Sequence, residues 1–223
     1  MTRWPALLAA RPAAIVFDCD GLLVDTEPCW DWANQQLFLR RGRDMAEVDT
    51  SPLFGRSSRD SVVLLAQWLD EVGREQELFD ELTGTVVGRM ETHAQAMPGA
   101  AGLVGRLRGH GMPLAVASNS PLPIVELALG LGGLAGCFDA VVSSDHVPRP
   151  KPAPDLYLLA CSRLGVDPST AVGFEDSRTG LAALRGAGLA SIGVPSLPGD
   201  FPADWVVPSL ADPALTEWVD SWA

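Results

Sequence analysis

The sequence has none of the long apolar segments that mark membrane or secreted proteins. It contains no run of about 18 consecutive apolar residues, the length that a membrane-spanning helix needs. The apolar stretch Ala6–Ala10 is followed at once by Arg11, so it is too short for the core of a signal peptide. We therefore expect a cytoplasmic protein with no membrane partner.

Cysteine and histidine are also scarce. The three histidines argue against a His-rich zinc site. The four cysteines have no spacing typical of a metal site, which favours reduced and mostly buried thiols over a disulfide framework. They are Cys19, Cys29, Cys137 and Cys161.

Positive charge is in the minority. The 223 residues include 16 Lys and Arg against 28 Asp and Glu, giving a formal net charge of −12. This balance argues against nucleic acid or an anionic membrane as a partner, because both need a basic surface. A small anionic ligand remains possible, since a local pocket can be positive on an acidic protein. The hydrophobic content of 47% excludes general disorder, and the length corresponds to one or two domains.

Short apolar runs alternate with helical patterns over most of the chain. Gly, Pro, Asp or Ser bound each run, as is typical of strands that are buried on both faces of a parallel sheet. The alternation predicts an α/β fold with a doubly wound, Rossmann-like parallel sheet. The predicted strands are Ala13–Phe17, Pro113–Ala117, Ala140–Val142, Ala171–Phe174 and Ala190–Val194, and the predicted helices between them are Ala100–Gly109, Pro123–Leu131, Pro154–Leu164 and Thr179–Gly186.

One segment interrupts this alternation. Residues 24–97 show helical patterns and no convincing strand, so we expect a helical insert there that forms a lid over the sheet. The sheet domain then consists of residues 1–23 and 98–223. The predicted helices of the insert are Glu27–Arg41, Ser61–Val72 and Glu75–Ala96.

The second helix of the insert has the clearest apolar face. Five apolar residues recur there at helical spacing, and Ser58 is a candidate N-cap with Asp60 in the first turn. Near the end of the chain we expect a short strand at Trp205–Val207 and a final helix. The five apolar residues are Leu64, Leu65, Trp68, Leu69 and Val72.

Polar residues follow four of the predicted strands. The carboxyl ends of parallel strands meet at one edge of a sheet, where doubly wound folds bind ligands. These residues are therefore expected to converge in one crevice. They are Asp18 and Asp20, Ser118 and Asn119, Lys151, and Glu175 and Asp176.

Asp18 and Asp20 suit a nucleophile and a general acid or base, because residues two apart at a strand end can point into the same crevice. The alternative is a pair of turn or helix-capping aspartates. A calcium-binding EF-hand loop is excluded, since it requires Gly and Glu where this chain has Leu23 and Cys29.

Four carboxylates in one crevice repel one another, by about 4 kcal/mol for two charges ~4 Å apart at an effective dielectric near 20. Such a set of hard oxygen ligands calls for Mg²⁺. Lys151, which lies between two prolines, is the only cation near the predicted cluster apart from Arg149, and Ser118 can donate a hydrogen bond to an anion. A metal, a lysine, amide and hydroxyl donors and a carboxylate nucleophile together suit phosphoryl transfer.

Four segments in order resemble the signature motifs of the haloacid dehalogenase-like superfamily: FDCDGLLVDTEP, VASNS, RPKPAPDLY and GFEDS. The chain is similar to the subgroup with a helical cap inserted after the first motif, which includes sugar phosphatases, phosphoglycolate phosphatase and beta-phosphoglucomutase. The resemblance covers nearly the whole chain and implies a Mg²⁺-dependent phosphatase.

The resemblance also implies roles for single residues. Asp18 would be the nucleophile that forms an aspartyl-phosphate, and Asp20 would protonate the leaving oxygen and then activate water. Ser118 and Lys151 would hold the phosphoryl group, and Asn119 would contact phosphate or substrate.

The metal would be bound by Asp18, the main-chain carbonyl of Asp20, and Asp176. Glu175 would contribute directly or through water. Asp25 and Thr26 would lie near the cap hinge, at the start of the first cap helix.

The cap would select the leaving group. The loop Phe54–Asp60 resembles the cap's recognition loop, which makes Arg56 or Arg59 a candidate substrate contact; the alternative is that both are solvated. Trp30 stands where beta-phosphoglucomutases carry a histidine, which argues against a mutase. It is also a candidate substrate contact.

The run Gly21–Ala33 most resembles hexose and hexitol phosphatases, so a sugar or sugar-alcohol phosphate is the leading substrate and phosphoglycolate the alternative.

Two other functions are disfavoured by the carboxylates. A haloacid dehalogenase would need no metal and typically lacks an acid at the position of Asp20. A non-catalytic scaffold would be expected to have lost a catalytic carboxylate, and this chain has lost none. We expect a small phosphorylated metabolite as the ligand and a monomer or weak dimer in solution.

Overall fold

A six-stranded parallel sheet organises the molecule. The computed structural model describes residues 4–53, 55–196 and 199–222. The strands lie in the order β3-β2-β1-β4-β5-β6, which confirms the predicted doubly wound sheet. The five predicted main strands agree with the structure to within one residue at each end. The strands are β1 (Ala14–Phe17), β2 (Leu114–Ala117), β3 (Ala140–Val142), β4 (Ala171–Glu175), β5 (Ala190–Gly193) and β6 (Trp205–Val206).

Helices cover both faces of this sheet. Successive strand side chains point to opposite faces, so Ile15 and Phe17 join one apolar core while Val16 joins the other. Within the described residues the helices are α1 (Glu27–Leu39), α2 (Ser58–Trp68), α3 (Glu75–His93), α4 (Ala100–Gly109), α5 (Leu122–Leu131), α6 (Asp155–Leu164), α7 (Arg178–Ala187) and α8 (Pro213–Asp220). Residues of α4, α5 and α8 pack with Phe17, and residues of α6 and α7 pack with Val16.

Helices α1, α2 and α3 form the helical insert between β1 and β2, and α3 packs against both α1 and α2. The two connections between insert and sheet run side by side. Val24 and Ala96 form an antiparallel bridge, the Asp25 amide donates to the Gln95 carbonyl at 2.8 Å, and the Met97 amide donates to the Leu23 carbonyl at 2.9 Å. The insert is thus joined to the sheet by two adjacent segments that are hydrogen-bonded to each other.

Helix α2 is displaced from its predicted position. Ser57, not Ser58, is its N-cap, because the Ser57 hydroxyl accepts a hydrogen bond from the Asp60 amide at 3.1 Å. The helix also ends at Trp68, where Asp70 adopts a left-handed conformation with φ 58°. Val72 is therefore 73% exposed instead of contributing to the apolar face. Leu65 and Leu69 of the predicted apolar face are buried, and Val62 and Ala66 are buried as well.

The end of the chain follows the prediction, with β6 at Trp205–Val206 and α8 as the final helix. Trp218 of α8 is buried, and its indole N–H donates to the Leu8 carbonyl at 2.7 Å. All four cysteines are free, and three of them are buried. Within the described ranges, no helix has both the length and the apolar character needed to cross a membrane.

Candidate active site

Three carboxylates meet where β1 and β4 end side by side. Asp18 follows β1, Glu175 ends β4, and the Asp18 amide donates to the Phe174 carbonyl at 3.0 Å. Asp18, Glu175 and Asp176 are all buried, and each offers an oxygen that lies within 4.8 Å of the others. The predicted convergence at this edge therefore includes these three side chains.

The single lysine of the chain lies among these carboxylates. The buried Lys151 Nζ donates to Asp18 Oδ1 and to Glu175 Oε1, each at 2.7 Å. Burial favours the neutral amine, but the attraction of Asp18 and Glu175 outweighs it and raises the pKa of Lys151 above its usual value. Lys151 is therefore a permanent cation at the base of the crevice.

Glu175 is held more tightly than the other carboxylates. The hydroxyl of Tyr157, the only tyrosine, donates to Glu175 Oε1, and the Ser177 hydroxyl donates to Oε2 at 3.0 Å. A Cβ on Gly180 would lie 1.8 Å from the Glu175 carboxyl carbon, so only glycine fits there. Tyr157 was not among the predicted site residues, although it belongs to the RPKPAPDLY motif.

Asp20 occupies a different environment from the three clustered carboxylates. Its Oδ1 accepts a hydrogen bond from Thr26 Oγ1 at 2.7 Å, and its Oδ2 accepts bonds from Ser118 Oγ at 2.8 Å and Ser120 Oγ at 2.9 Å. Three hydroxyls therefore hold the Asp20 side chain apart from the three clustered carboxylates, while Asp20 lines the same cavity as Asp18 and Asp176. Ser120 was missed, although it lies two residues after Ser118.

The Ser118–Asn119 segment links the sheet to the insert. Ser118 is fully buried, so its hydroxyl serves Asp20 in this structure. Asn119 accepts a hydrogen bond from the Lys151 amide at 2.8 Å, and its Nδ2 donates to the carbonyls of Lys151 at 3.2 Å and Gly55 at 3.1 Å. Asn119 thus fixes the lysine loop and contacts the loop before α2.

A cavity of about 710 Å³ opens above these residues, between the sheet edge and the insert. This is within the usual size range of small-molecule sites. Asp18, Asp20 and Lys151 line it from the sheet side, and residues of α1 and of the loop before α2 line it from the insert. A ligand in this cavity would contact both parts of the chain.

Some of the predicted substrate-binding residues line the cavity and others do not. Trp30 and Arg56 line it from the insert, and Asn119 lines it from the sheet side. Arg59 is not among the described lining residues; its guanidinium lies 4.4 Å from the centre of the Phe79 ring. Phe54, which belongs to the predicted recognition loop, lies outside the described residues.

Further polar residues of the cavity wall were not among the predicted site residues. Asn34 and Ser58 line it from the insert, and Arg178 lines it from the sheet side. Asn34 lies one helical turn after Trp30, so helical spacing could have placed it on the same face of α1. Ser58 belongs to the predicted recognition loop Phe54–Asp60, but by itself it was assigned only as a candidate helix cap.

The carboxylate cluster fits a divalent cation. Burial, followed by repulsion from Glu175, raises the pKa of Asp176 to about 8. Burial also raises the pKa of Asp18, against the opposing effect of Lys151. Three carboxylates facing one lysine leave an excess of negative charge, and hard oxygen ligands suit Mg²⁺. A Cβ on Gly21, whose φ is 74°, would lie 2.7 Å from Asp176 Oδ2, so the turn after Asp20 passes directly over this carboxylate.

Several known proteins are similar to this chain. Hexitol phosphatase B of Escherichia coli K12 is 32% identical over 206 residues, which cover 92% of this chain and 93% of that protein. The fructose-1-phosphate phosphatase YqaB of the same organism is 35% identical over 191 residues, covering 82% and 97%. The crystal structure of CbbY from Rhodobacter sphaeroides in complex with phosphate superposes with a TM-score of 0.79 at 28% identity, covering 92% of this chain and 100% of that one.

The family model for haloacid dehalogenase-like hydrolases matches residues 12–188. That span contains the three clustered carboxylates, Asp20 and Lys151, as well as the helical insert. The chain belongs to the haloacid dehalogenase-like hydrolases.

Proposed function

We propose that this protein is a Mg²⁺-dependent phosphomonoesterase that hydrolyses a sugar or sugar-alcohol phosphate through a phosphoryl group carried on Asp18. The observation that carries the proposal is the arrangement at the cavity base. Asp18 is positioned by the cation Lys151, beside the carboxylate of Asp176, and Asp20 lies separately in a hydroxyl network.

Asp18 is the proposed nucleophile. One of its oxygens is bound by Lys151, so the other can attack phosphorus while the bond from phosphorus to the ester oxygen breaks. Lys151 also offers positive charge where the transferred group concentrates negative charge. Its second bond, to Glu175, fixes the position of the ammonium group.

Asp20 is the proposed acid and base. It donates a proton to the departing ester oxygen, and later takes a proton from the water that attacks the phosphoryl group on Asp18. That attack breaks the bond between phosphorus and Asp18 and releases inorganic phosphate. Thr26, Ser118 and Ser120 orient the Asp20 carboxyl, and Thr26 lies at the joint with the insert.

Asp18, Asp176 and the main-chain carbonyl of Asp20 would hold the metal, with Glu175 contributing directly or through water. When bound, Mg²⁺ supplies charge neutralisation between the carboxylates and the phosphoryl oxygens. The raised pKa values of Asp18 and Asp176 support this assignment, because burial, together with repulsion from neighbouring carboxylates, makes their charged forms unfavourable where no cation is bound.

Residues 24–97 are the proposed cap that selects the leaving group. The cavity supports this proposal, because the insert supplies its wall opposite Asp18. Trp30 in that wall can neither accept a proton nor donate one as an acid, which favours water over a sugar hydroxyl as the final acceptor. The similarity to the hexitol and fructose-1-phosphate phosphatases supports a phosphorylated sugar or sugar alcohol as the substrate.

The test is phosphate release from a panel of phosphorylated sugars, sugar alcohols and phosphoglycolate, with Mg²⁺ and with chelator. We expect Mg²⁺-dependent release, with a hexitol or hexose phosphate as the best substrate. Product analysis should show little positional isomer. Absence of phosphate release from every member of the panel would contradict the proposal.

A further inference from the structure

Below the cavity lies a buried hydroxyl group that the proposed mechanism does not use. It belongs to Tyr157, the only tyrosine of the chain, which lies on α6 and is fully buried. Tyr157 is not among the described residues that line the cavity. Its hydroxyl donates to Glu175 Oε1, the same oxygen that accepts the 2.7 Å bond from Lys151 Nζ. The tyrosine and the lysine therefore share one carboxylate oxygen.

The shared carboxylate is fixed from its other sides. The Ser177 hydroxyl and the Ser177 amide donate to Glu175 Oε2 at 3.0 and 3.3 Å. The backbone of α7 packs directly on the carboxylate, because a Cβ on Gly180 would lie 1.8 Å from the Glu175 carboxyl carbon. Glu175 thus has little room to move, so the loss of the Tyr157 hydroxyl would change the freedom of Lys151 rather than the place of Glu175.

Hydrogen-bond geometry connects the tyrosine to the lysine. A carboxylate oxygen has two lone-pair sites. Tyr157 occupies one of them on Oε1 and leaves the other for Lys151, which fixes the direction of the bond between Lys151 and Glu175. The ammonium group has three N–H donors, and the second binds Asp18 Oδ1 at 2.7 Å. With two bonds fixed, the direction of the third N–H is fixed as well.

The third N–H is the one that a phosphoryl group would meet. Lys151 lines the cavity and is 4% exposed, so its ammonium group is accessible from above. A donor that already points to the place of the developing charge stabilises a transition state without further reorganisation. Tyr157 itself is too deeply buried to touch the substrate or the reacting atoms, and it would act only through Glu175 and Lys151.

We propose that Tyr157 is a positioning residue for Lys151: its hydroxyl restricts the lysine to one lone pair of Glu175 and so aims the free N–H at the transferred phosphoryl group. The inference rests on the proposed function and adds a residue to its machinery. The Tyr157 ring makes a separate contact, since its centre lies 5.0 Å from Lys151 Nζ. Phenylalanine would keep that contact, so the role of the hydroxyl can be tested alone.

Tyr157→Phe is compared with Ser191→Ala as a matched control. Ser191 on β5 is also buried, its hydroxyl donates to Asp204 Oδ2 at 2.8 Å, and neither residue is among those described as lining the cavity. Both variants should lower the melting temperature by a few degrees. Only Tyr157→Phe should lower kcat/KM, by about tenfold and equally for sorbitol 6-phosphate and a small aryl phosphate, because the phosphoryl group is common to both.

Nuclear magnetic resonance reports on the lysine without turnover. Because Lys151 is the only lysine, ¹⁵N-lysine labelling gives a single ammonium signal. In ligand-free Tyr157→Phe the ammonium protons should exchange with water several-fold faster than in wild type, and Ser191→Ala should leave their exchange unchanged. In wild type, inorganic phosphate with Mg²⁺ should shift the Lys151 ammonium signal and the Tyr157 ring signals together.

Three results would overturn the positioning role. They are an unchanged ammonium exchange rate in Tyr157→Phe, a loss of kcat/KM confined to sorbitol 6-phosphate, and a loss of Mg²⁺ affinity in calorimetry as large as the loss of kcat/KM. If Tyr157→Phe does not fold, wild type decides: a phosphate-induced shift of the lysine signal without one of the tyrosine signals would overturn the role. If the exchange rate responds as expected but wild type releases no phosphate from any panel member, the hydrolytic function fails while the positioning of Lys151 stands.

Discussion

Replacing Asp176 by Asn should stabilise the protein without metal and destabilise it with Mg²⁺. In the folded protein, burial and repulsion by Glu175 raise the pKa of Asp176 from 3.8 to about 8. Between these two pH values the folded protein holds a proton that the unfolded chain has released. The free energy of unfolding therefore falls as pH rises through this window, and the loss is complete above pH 8.

The size of this effect follows from the pKa difference. A rise of about four units in the pKa of Asp176 corresponds to a loss of ~6 kcal/mol in the free energy of unfolding, at ~1.36 kcal/mol per pKa unit. We expect about half of this, ~3 kcal/mol, because neighbouring carboxylates share the repulsion and can also take up the proton. For a chain of this length, ~2–4 °C per kcal/mol gives a melting temperature about 6–12 °C higher for Asp176→Asn in chelator at pH 8.5.

Mg²⁺ at about 1,000 Kd should reverse the order, because wild type then gains ~4.1 kcal/mol, which exceeds the ~3 kcal/mol advantage of the variant, and the variant has lost a metal ligand. The assay is thermal unfolding by circular dichroism at pH 5, 7 and 8.5, with chelator or Mg²⁺. Asp80→Asn, at an exposed carboxylate on α3, is the control and should show no such reversal. A melting temperature of Asp176→Asn below that of wild type in chelator at pH 8.5 would refute the reasoning. A wild-type melting temperature that does not change on addition of Mg²⁺ would refute it as well.

Three further predictions concern activity. Asp18→Asn should lower kcat by several powers of ten while the circular dichroism spectrum is preserved, since only the attacking anion is lost; near-wild-type turnover would remove Asp18 from its role. Activity should vanish with chelator, return with Mg²⁺ and recover poorly with Ca²⁺, whose larger and more flexible coordination suits this site less; full activity after exhaustive chelation would count against a metal site. Arg56→Ala should raise KM for a sugar phosphate more than KM for a small aryl phosphate. It should also raise KM for the sugar phosphate more than Arg59→Ala does, because Arg56 lines the cavity and Arg59 lies against Phe79. A larger rise in KM for Arg59→Ala than for Arg56→Ala in steady-state kinetics would show that Arg59 reaches the substrate.

The sheet could be predicted closely because its strands are continuous apolar runs with clear turn residues at both ends. Strands buried on both faces leave little freedom in their boundaries, and the carboxyl ends of β1 and β4 then had to bring Asp18 and Glu175 together. Helix α2 was harder, because Ser57 and Ser58 are equivalent caps by sequence. Only the bond from the Asp60 amide selects Ser57.

The cavity wall could not be derived from the motifs. It depends on how α1 and α2 face the sheet edge, which the spacing within one helix does not fix. Asn34 could have been placed only through its spacing from Trp30 on α1, and Arg59, a candidate anion contact by charge, packs on Phe79 instead. The hydroxyl network around Asp20 likewise depends on three segments of the chain meeting, at Thr26, Ser118 and Ser120.

The central claim is that the phosphoryl group passes through Asp18, and covalent trapping tests it most directly. A ³²P-labelled aryl phosphate has a good leaving group, so Asp20→Asn should still form the intermediate but hydrolyse it slowly. Rapid acid quenching of this variant should give labelled protein that releases its label with hydroxylamine, as an acyl phosphate does. Peptide mapping should locate the label at Asp18, and adding Asp18→Asn should abolish it. Label on Ser118 or on another residue would contradict the account. So would phosphate release by protein with Asp18 intact if no labelled protein is found at any time.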